Sequence, residues 1–501
     1  MNPSKSKQIV PAAAAGGLLL VGLLLLLNRA SPIARADSDV LFVSPAGSGS
    51  DCSRSAPCRL QVALSQSISG GTLFLSGGTY TGTGGAVITL TKSIALHGGW
   101  DGALTGPFVR DPETYITTLD GQGRRRVVTI SGSASPTLDG LRLTNGSTTD
   151  QGGGLHTALG SKTTLNECHI YSNTAGTHGG GAYFRGDATL TGNSIYSNTA
   201  GGNGGGVILV HNADTTLTGN QIHDNSAYWG GGVQTYVSNA TLANNDIYSN
   251  TAEVSGGGAN INEADGNQVT LVINRVYSNA AKYGGGVIVG NCSVTMSGNL
   301  VTDNRAEQGG GAWFASSDGV LVNNIVVENQ ATSGNGAAGL FVAGSDVRMV
   351  HTTIARNTGG RVGGVLVTNF AAETSTVGMT NTILVSHTVG ILVDSGHSAA
   401  AEATLWGDGA WSNGTDWGGV GTITTGTVNI RGNPAFLAAD AGDYHILPGS
   451  AAVGVGVDAG VTNDIDDDPR PAPVGTSPDI GADEISQRSV HLPVIIRSQR
   501  P

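Results

Sequence analysis

Residues 190–200 read Leu190-Thr191-Gly192-Asn193-Ser194-Ile195-Tyr196-Ser197-Asn198-Thr199-Ala200, and 217–227 read Leu217-Thr218-Gly219-Asn220-Gln221-Ile222-His223-Asp224-Asn225-Ser226-Ala227. The second phrase repeats the first position by position. Between them Gly204-Gly205-Gly206 leads into the alternating pair Val207/Leu209. Working outward, Asn recurs at 145, 173, 198, 225, 250, 279, 304, 329 and 357, at spacings of 25 to 29 residues. Three residues before it stand Ile170, Ile195, Ile222, Ile247, Val276, Val301, Val326 and Ile354, and a Leu or Met stands eight before. The local period is two, as in strands, while the global period is about 26. Each repeat therefore holds three short β segments and has no room for a helix. One such coil cannot bury its apolar side, but stacked coils can, because equal repeat positions then form columns inside a cylinder.

The Asn column has its own physics. A side-chain amide carries donors and an acceptor, so amides stacked at ~4.8 Å can bond along the ladder. This gives Asn173, Asn198, Asn225, Asn250, Asn279, Asn304 and Asn329 a structural role, and Asn also tolerates the left-handed backbone that a corner needs. A second amide column runs from Asn193 through Asn220, Asn245, Asn274 and Asn299 to Asn324, with Cys168 and Thr352 at its ends. Glycine triplets fit a corner where backbones approach closely or φ is positive. By the repeat count Cys168 and Cys292 lie five coils apart, too far for a disulfide. Asp246 and Arg275, with outward parity on neighbouring coils, should form a surface ion pair.

Composition agrees with a solenoid. Gly supplies 79 of 501 residues, about twice the usual share of roughly 7%. Aromatics are 5% and charged residues 12%, so the core must come from small aliphatic side chains. The net charge of −12 argues against nucleic acid as a partner.

These phrases resemble the right-handed parallel β-helix, and more narrowly the repeats of bacterial polymorphic outer-membrane proteins. That family's usual Phe is Ile or Val here, and nothing at the C-terminus reads as a membrane β-barrel. The expected fold is all-β, a single-stranded right-handed parallel β-helix of about a dozen coils over 70–435, with regular repeats over about 145–368 and a cap at each end.

Residues 1–36 read as a signal peptide. Lys5 and Lys7 precede the apolar run Ala12 to Leu27, and Ala34-Arg35-Ala36 is a small-x-small cleavage site. Residues 37–69 form the N-terminal cap, with a strand at Val40 to Val43, a short helix over Arg59 to Ser67, and a local disulfide open to Cys52 and Cys58 in an oxidising compartment. After them, the series Asn433-Pro434, Gly442-Asp443-Tyr444, Pro448-Gly449-Ser450 and Asp479-Ile480-Gly481-Ala482-Asp483-Glu484 is similar to the choice-of-anchor domain that ends many exported bacterial β-helix proteins. It defines a C-terminal cap at 436–486, followed by a tail at 487–501. Within the cap, Asp464, Asp466 and Asp468 form an acidic cluster from which calcium could draw oxygen ligands; otherwise no cofactor is expected.

Stacked columns can bring reactive side chains from successive coils together. Acid/base cleavage of a polysaccharide needs paired carboxylates. Asp303 and Glu328 precede the column Asn on adjacent coils, with Arg356 on the next, so stacking would bring the carboxylates within ~5–6 Å. The alternative is a solvated charge stack. Two residues before the column Asn, the outward row Tyr171, Tyr196, His223, Tyr248 and Tyr277 could form a platform for sugar rings, or could serve cross-strand packing alone. These features predict an exported or cell-surface β-helix, adhesin-like or glycan-contacting and non-enzymatic, working as a monomer against an extracellular polysaccharide or surface component, with no membrane span once the signal is cleaved. The alternative is a polysaccharide lyase or glycoside hydrolase on the same scaffold.

Overall fold

The computed structural model describes residues 40–211, 213–262 and 268–485. The expected signal peptide at 1–36 and the tail at 487–501 lie outside the described residues. The described chain winds into a parallel β-helix of about 14 turns. A regular coil carries a first strand such as Asp187–Thr191, a second such as Ser194–Tyr196 and, after the glycines, a third such as Val207–Val210. First and second strands share one 27-stranded sheet, and third strands build a 13-stranded one. Register follows the sequence columns: Leu190 pairs with Leu217, Leu217 with Leu242, and Ile195 with Ile222. Ile195, Ile222, Ile247 and Val276 are fully buried.

The turns outnumber the expected dozen because the helix begins earlier than residue 70. Val40–Val43 pairs in parallel with Thr72–Ser76, so the first rung lies within the segment assigned to the cap. The helix Leu60–Gln66 follows it and buries Leu60 and Ala63 against the interior columns. Cys52 and Cys58 are disulfide-bonded, whereas Cys168 and Cys292 are buried free thiols.

The glycine triplets satisfy two separate demands. The first Gly of each, from Gly152 to Gly309, has φ between 61 and 69°, a region open to Gly at no steric cost. The next two lie under the following coil: a Cβ on Gly231 would sit 2.6 Å from the carbonyl oxygens of Gly257 and Thr251. From Asn173 onward the asparagines, in contrast, are not the left-handed residues of their corner, although Asn145 at the head of the column is, with φ of 52°. That conformation falls on the residue before each, from Ser172, Ser197 and Asp224 to Asp303, Glu328 and Arg356, with φ of 53 to 58°. The Asn side chain is thereby turned inward to bond along the axis. Asn225 Nδ2 donates to the Ile195 carbonyl at 2.8 Å and to Asn250 Oδ1 at 3.0 Å, while its Oδ1 accepts from Asn198 N and Nδ2 at 3.1 and 3.0 Å.

A third polar column escaped the sequence reading. The N–H groups of Cys292, Ser317 and Ser345 donate to Ser317, Ser345 and Ser375 Oγ, and that of Ser375 to His397 Nδ1.

The C-terminal segment does not simply close the end of the cylinder. After the antiparallel pair Phe436–Ala438 and Asp443–Ile446 it packs along the side of the helix. There Phe436, Tyr444, Ile446, Ala452 and Ile480 join a buried cluster with Ile325, Val327, Ala355, Ile383, Val385 and Leu405. Hydrogen bonds from Asn323 Nδ2 to the Asn463 carbonyl, from Val457 N to Asn381 Oδ1 and from Ala482 N to Thr353 Oγ1 fix its register.

Candidate functional site

One outer face, formed by the second strands, carries the chemistry that the sequence singled out. Strand alternation sends the Ile/Val of each second strand inward and its neighbours outward. Tyr171, Tyr196, His223, Tyr248 and Tyr277 thus form a half-buried row in strict register. Their centroids follow at 5.0, 5.1, 4.6 and 4.9 Å, with interplanar angles of 2 to 8°. The rings stack on one another, which differs from a platform of exposed flat faces. Each inner ring has its faces covered by its neighbours, leaving ring edges and polar tips to face outward. Parallel in-register strands carry like residues in like orientation, so the planes line up across the axis.

Polar groups flank the row. Arg275 Nη1 lies 3.5 Å from Asp246 Oδ1, both partly exposed, and the Arg275 guanidinium stands 5.3 Å from the Tyr277 centroid. His223 Nδ1 meets Asp224 Oδ2 at 2.8 Å. Burial, then the Asp246 charge, pushes the Tyr277 phenol up to about 12, and burial also raises Tyr196 and Tyr248. These hydroxyls are neutral hydrogen-bonding groups at ordinary pH. Around the next corner Tyr228 and Trp229 are exposed; the sequence reading missed them, although they interrupt a stretch that is glycine-rich one coil earlier.

Asp303, Glu328 and Arg356 occupy the left-handed corner on three successive coils. Glu328 Oε1 accepts from the Tyr444 hydroxyl at 2.7 Å and lies 3.8 Å from Arg356 Nη1. Arg356 Nη1 also meets Asp440 Oδ1 at 2.6 Å, and its guanidinium lies 4.6 Å from the Trp411 centroid. Burial and the hydrogen bond to Glu328 raise the Tyr444 pKa. Glu328 and Arg356 therefore join the helix to the C-terminal segment, while Asp303 is exposed and accepts from Thr302 Oγ1 at 3.3 Å. This corner is an interlock, which differs from a pair of carboxylates facing substrate across a cleft. Tyr444 and Asp440 were not foreseen, being 116 and 84 residues away from their partners.

The acidic cluster is also reorganised. Asp464 Oδ1 accepts from the N–H groups of Asp466 and Asp468 at 2.9 and 2.8 Å, and its Oδ2 from Glu484 N at 2.9 Å. Asp464 thus ties the loop's backbone together, and its oxygens are already committed. Asp466 Oδ2 instead lies 2.8 Å from His445 Nε2. Arg470 and Glu484, whose side chains are fully buried, pair at 3.2 Å, and Arg470 also donates to the Gly481 and Ala482 carbonyls. Burial pushes the Asp483 carboxyl up to about 7 and raises Asp464, Asp479 and Glu484.

A match to a known family agrees on the architecture. The family described as "Right handed beta helix region" matches residues 128–331. The chain is a right-handed parallel β-helix. Among solved structures, it is similar to the crystal structure of pectate lyase Pel9A at 11% identity and a TM-score of 0.36, over 89% of this chain and 96% of that one. No curated protein matches the sequence. Among the described residues, no helix is long and apolar enough to cross a membrane.

Proposed function

We propose that this is an exported or cell-surface β-helix whose open aromatic row contacts an extended glycan, working as a monomeric, non-enzymatic scaffold with adhesin-like character. The carrying observation is the uninterrupted register of Tyr171, Tyr196, His223, Tyr248 and Tyr277 on a face that, among the described residues, is not covered by the aliphatic cluster of the C-terminal segment. A linear polymer lying along the axis would meet a polar tip at nearly every coil, with Asp246 and Arg275 beside the row. Because the ring faces are stacked, contact comes from hydroxyls and ring edges, and the ordering entropy is low because the rings hold one another. The leader-like sequence at 1–36 and the Cys52–Cys58 disulfide support export.

The alternative of a polysaccharide lyase or hydrolase loses its support at the corner, where Glu328 is occupied by Tyr444 and Arg356. The test is retention of the double variant Tyr196→Ala with Tyr248→Ala on a polysaccharide array, with thermal unfolding in parallel. Retention should fall at least tenfold on the polysaccharides that hold the unmodified protein, with the cooperative transition preserved. Equal retention would remove the row as the contact surface.

A further inference from the structure

The C-terminal segment gathers three titratable side chains, and one of them keeps a buried oxygen without a hydrogen-bond partner. Asp483 is 3% exposed. Its Oδ2 accepts from Ile446 N at 2.7 Å, but its Oδ1 is buried without a hydrogen-bond partner. A buried carboxyl oxygen left unbonded forfeits its hydration with nothing in return. Donor atoms of Asp483, His445 and Asp466 all lie within 4.8 Å of one another. These residues come from three separate stretches of the segment: the hairpin, the acidic loop and the final turn.

We propose that His445 Nε2, Asp466 and Asp483 form a binding site for one divalent first-row transition cation of the zinc class. The donor set decides the class. Calcium favours an all-oxygen shell of six to eight ligands, whereas one imidazole with two carboxylates suits zinc and its neighbours. Tetrahedral zinc, with ligands at ~2.0–2.1 Å, separates them by about 3.3 Å. The Nε2 to Asp466 distance of 2.8 Å already approaches that spacing. Asp443 Oδ1, 2.6 Å from His445 Nδ1, supplies the outer carboxylate that fixes a ligating imidazole.

Charge points the same way. Asp464, Asp479, Asp483 and Glu484 are buried near two cations, the Arg470 guanidinium and the His445 imidazole, whose pKa is raised, against the effect of burial, by its hydrogen bond to Asp466 and by the Asp483 charge. A dication at this point would take the place of the imidazolium proton and carry one more positive charge among these carboxyls. On binding, the proton on Nε2 leaves for solvent and the nitrogen lone pair takes the cation, while Nδ1–H stays on Asp443. Asp466, with 46% of its side chain exposed, provides the way in. The bound cation would tie the hairpin to the acidic loop and so hold the segment against the helix side.

The full secreted chain, stripped with chelator and dialysed, is titrated with Zn²⁺ by calorimetry in buffers of different ionisation enthalpy. The expected result is saturable binding of about one ion per chain, about one proton released, and a higher unfolding temperature. His445→Gln and Asp483→Asn should each weaken binding at least tenfold, while Asp468→Asn, which alters the oxygen cluster alone, leaves it unchanged. No saturable binding by the unmodified chain overturns the proposal, as does affinity unchanged in both variants or lost in Asp468→Asn. Calcium binding that is indifferent to His445→Gln, with no zinc binding, would also overturn it. If neither variant folds, Co²⁺ added to the unmodified chain decides: intensified visible d–d absorption, displaced by Zn²⁺, supports the site, and its absence rejects it.

Discussion

Replacing Asn225 with Ala removes one unit from the middle of the longer amide column. Four hydrogen bonds go with it: two donated by Nδ2, to the Ile195 carbonyl and Asn250 Oδ1, and two accepted by Oδ1, from Asn198 N and Nδ2. The loss is uneven. Asn250 Oδ1 keeps the bond from Asn225 N, and Asn198 Nδ2 keeps its bond to the Ile170 carbonyl. Asn198 N–H, inside the cylinder, loses its acceptor. At about 1 kcal/mol for each bond the change should cost about 4 kcal/mol. Asn225→Asp should cost more, because an oxygen would replace Nδ2 opposite two acceptors and a charge would be buried. Contacts in a solenoid run to nearest neighbours, so the damage should stay local. Native-state hydrogen exchange should show lost protection in peptides covering 195–203 and 222–252, with coils near 320–350 unchanged. Asn239, whose Nδ2 bonds Asp214 Oδ1 and whose Oδ1 accepts from Gln268 N at the exposed edge where water can replace both, is the control and should lose no more than about 1 kcal/mol as Ala. A cost below about 1 kcal/mol at Asn225, or one equal to that at Asn239, would show that the ladder follows the fold without stabilising it.

Gly231→Ala should prevent accumulation of folded protein, since the added Cβ would meet two carbonyl oxygens at 2.6 Å; Gly219→Ala has φ of +65° but nothing within 4 Å and should cost only about 1–2 kcal/mol, so equal yields of folded protein would refute the close-approach argument. Burial holds the imidazoles of His351 and His387 down at about 3, with the Arg470 charge adding to the effect at His351. Their folded pKa values lie below the unfolded value of about 6.5, so the stability they contribute is present above that pH and is lost as pH falls towards 3. Between pH 7 and 5 each should cost about 2 kcal/mol in urea unfolding, and His387→Gln should remove one such increment from the pH dependence; an unchanged slope would mean that this ring is charged in the folded chain.

The interior was legible because each column keeps one kind of side chain from coil to coil. Ile195, Ile222, Ile247 and Val276 could be stacked on paper, and the free thiols Cys168 and Cys292 follow from the same count. The left-handed corner was misplaced by one residue for a physical reason. Ser, Asp, Glu and Arg all occupy it with their side chains outward, so the position has no residue signature, whereas the neighbouring Asn is conspicuous for its ladder. Stacking of the ring row was equally hidden, since periodicity fixes where a ring stands but not which way its plane turns.

The hydrogen bonds that dock the C-terminal segment join residues more than 70 positions apart and have no period at all. Even so, one outward column contained the information. Read down the coils it runs Tyr171, Tyr196, His223, Tyr248, Tyr277, Thr302, Val327, Ala355 and Val385. An outward position that turns aliphatic must be covered, because bare Val and Ala there would leave an apolar strip in water. The change after Tyr277 marks where the segment begins to dock: Thr302, Val327, Ala355 and Val385 are buried, whereas the five rings before them remain half-exposed. The same column therefore divides the face into a stretch that holds the chain to itself and a stretch that the segment leaves uncovered. A ligand that follows the axis on this face has the five aromatic coils available and ends where Glu328 meets Tyr444.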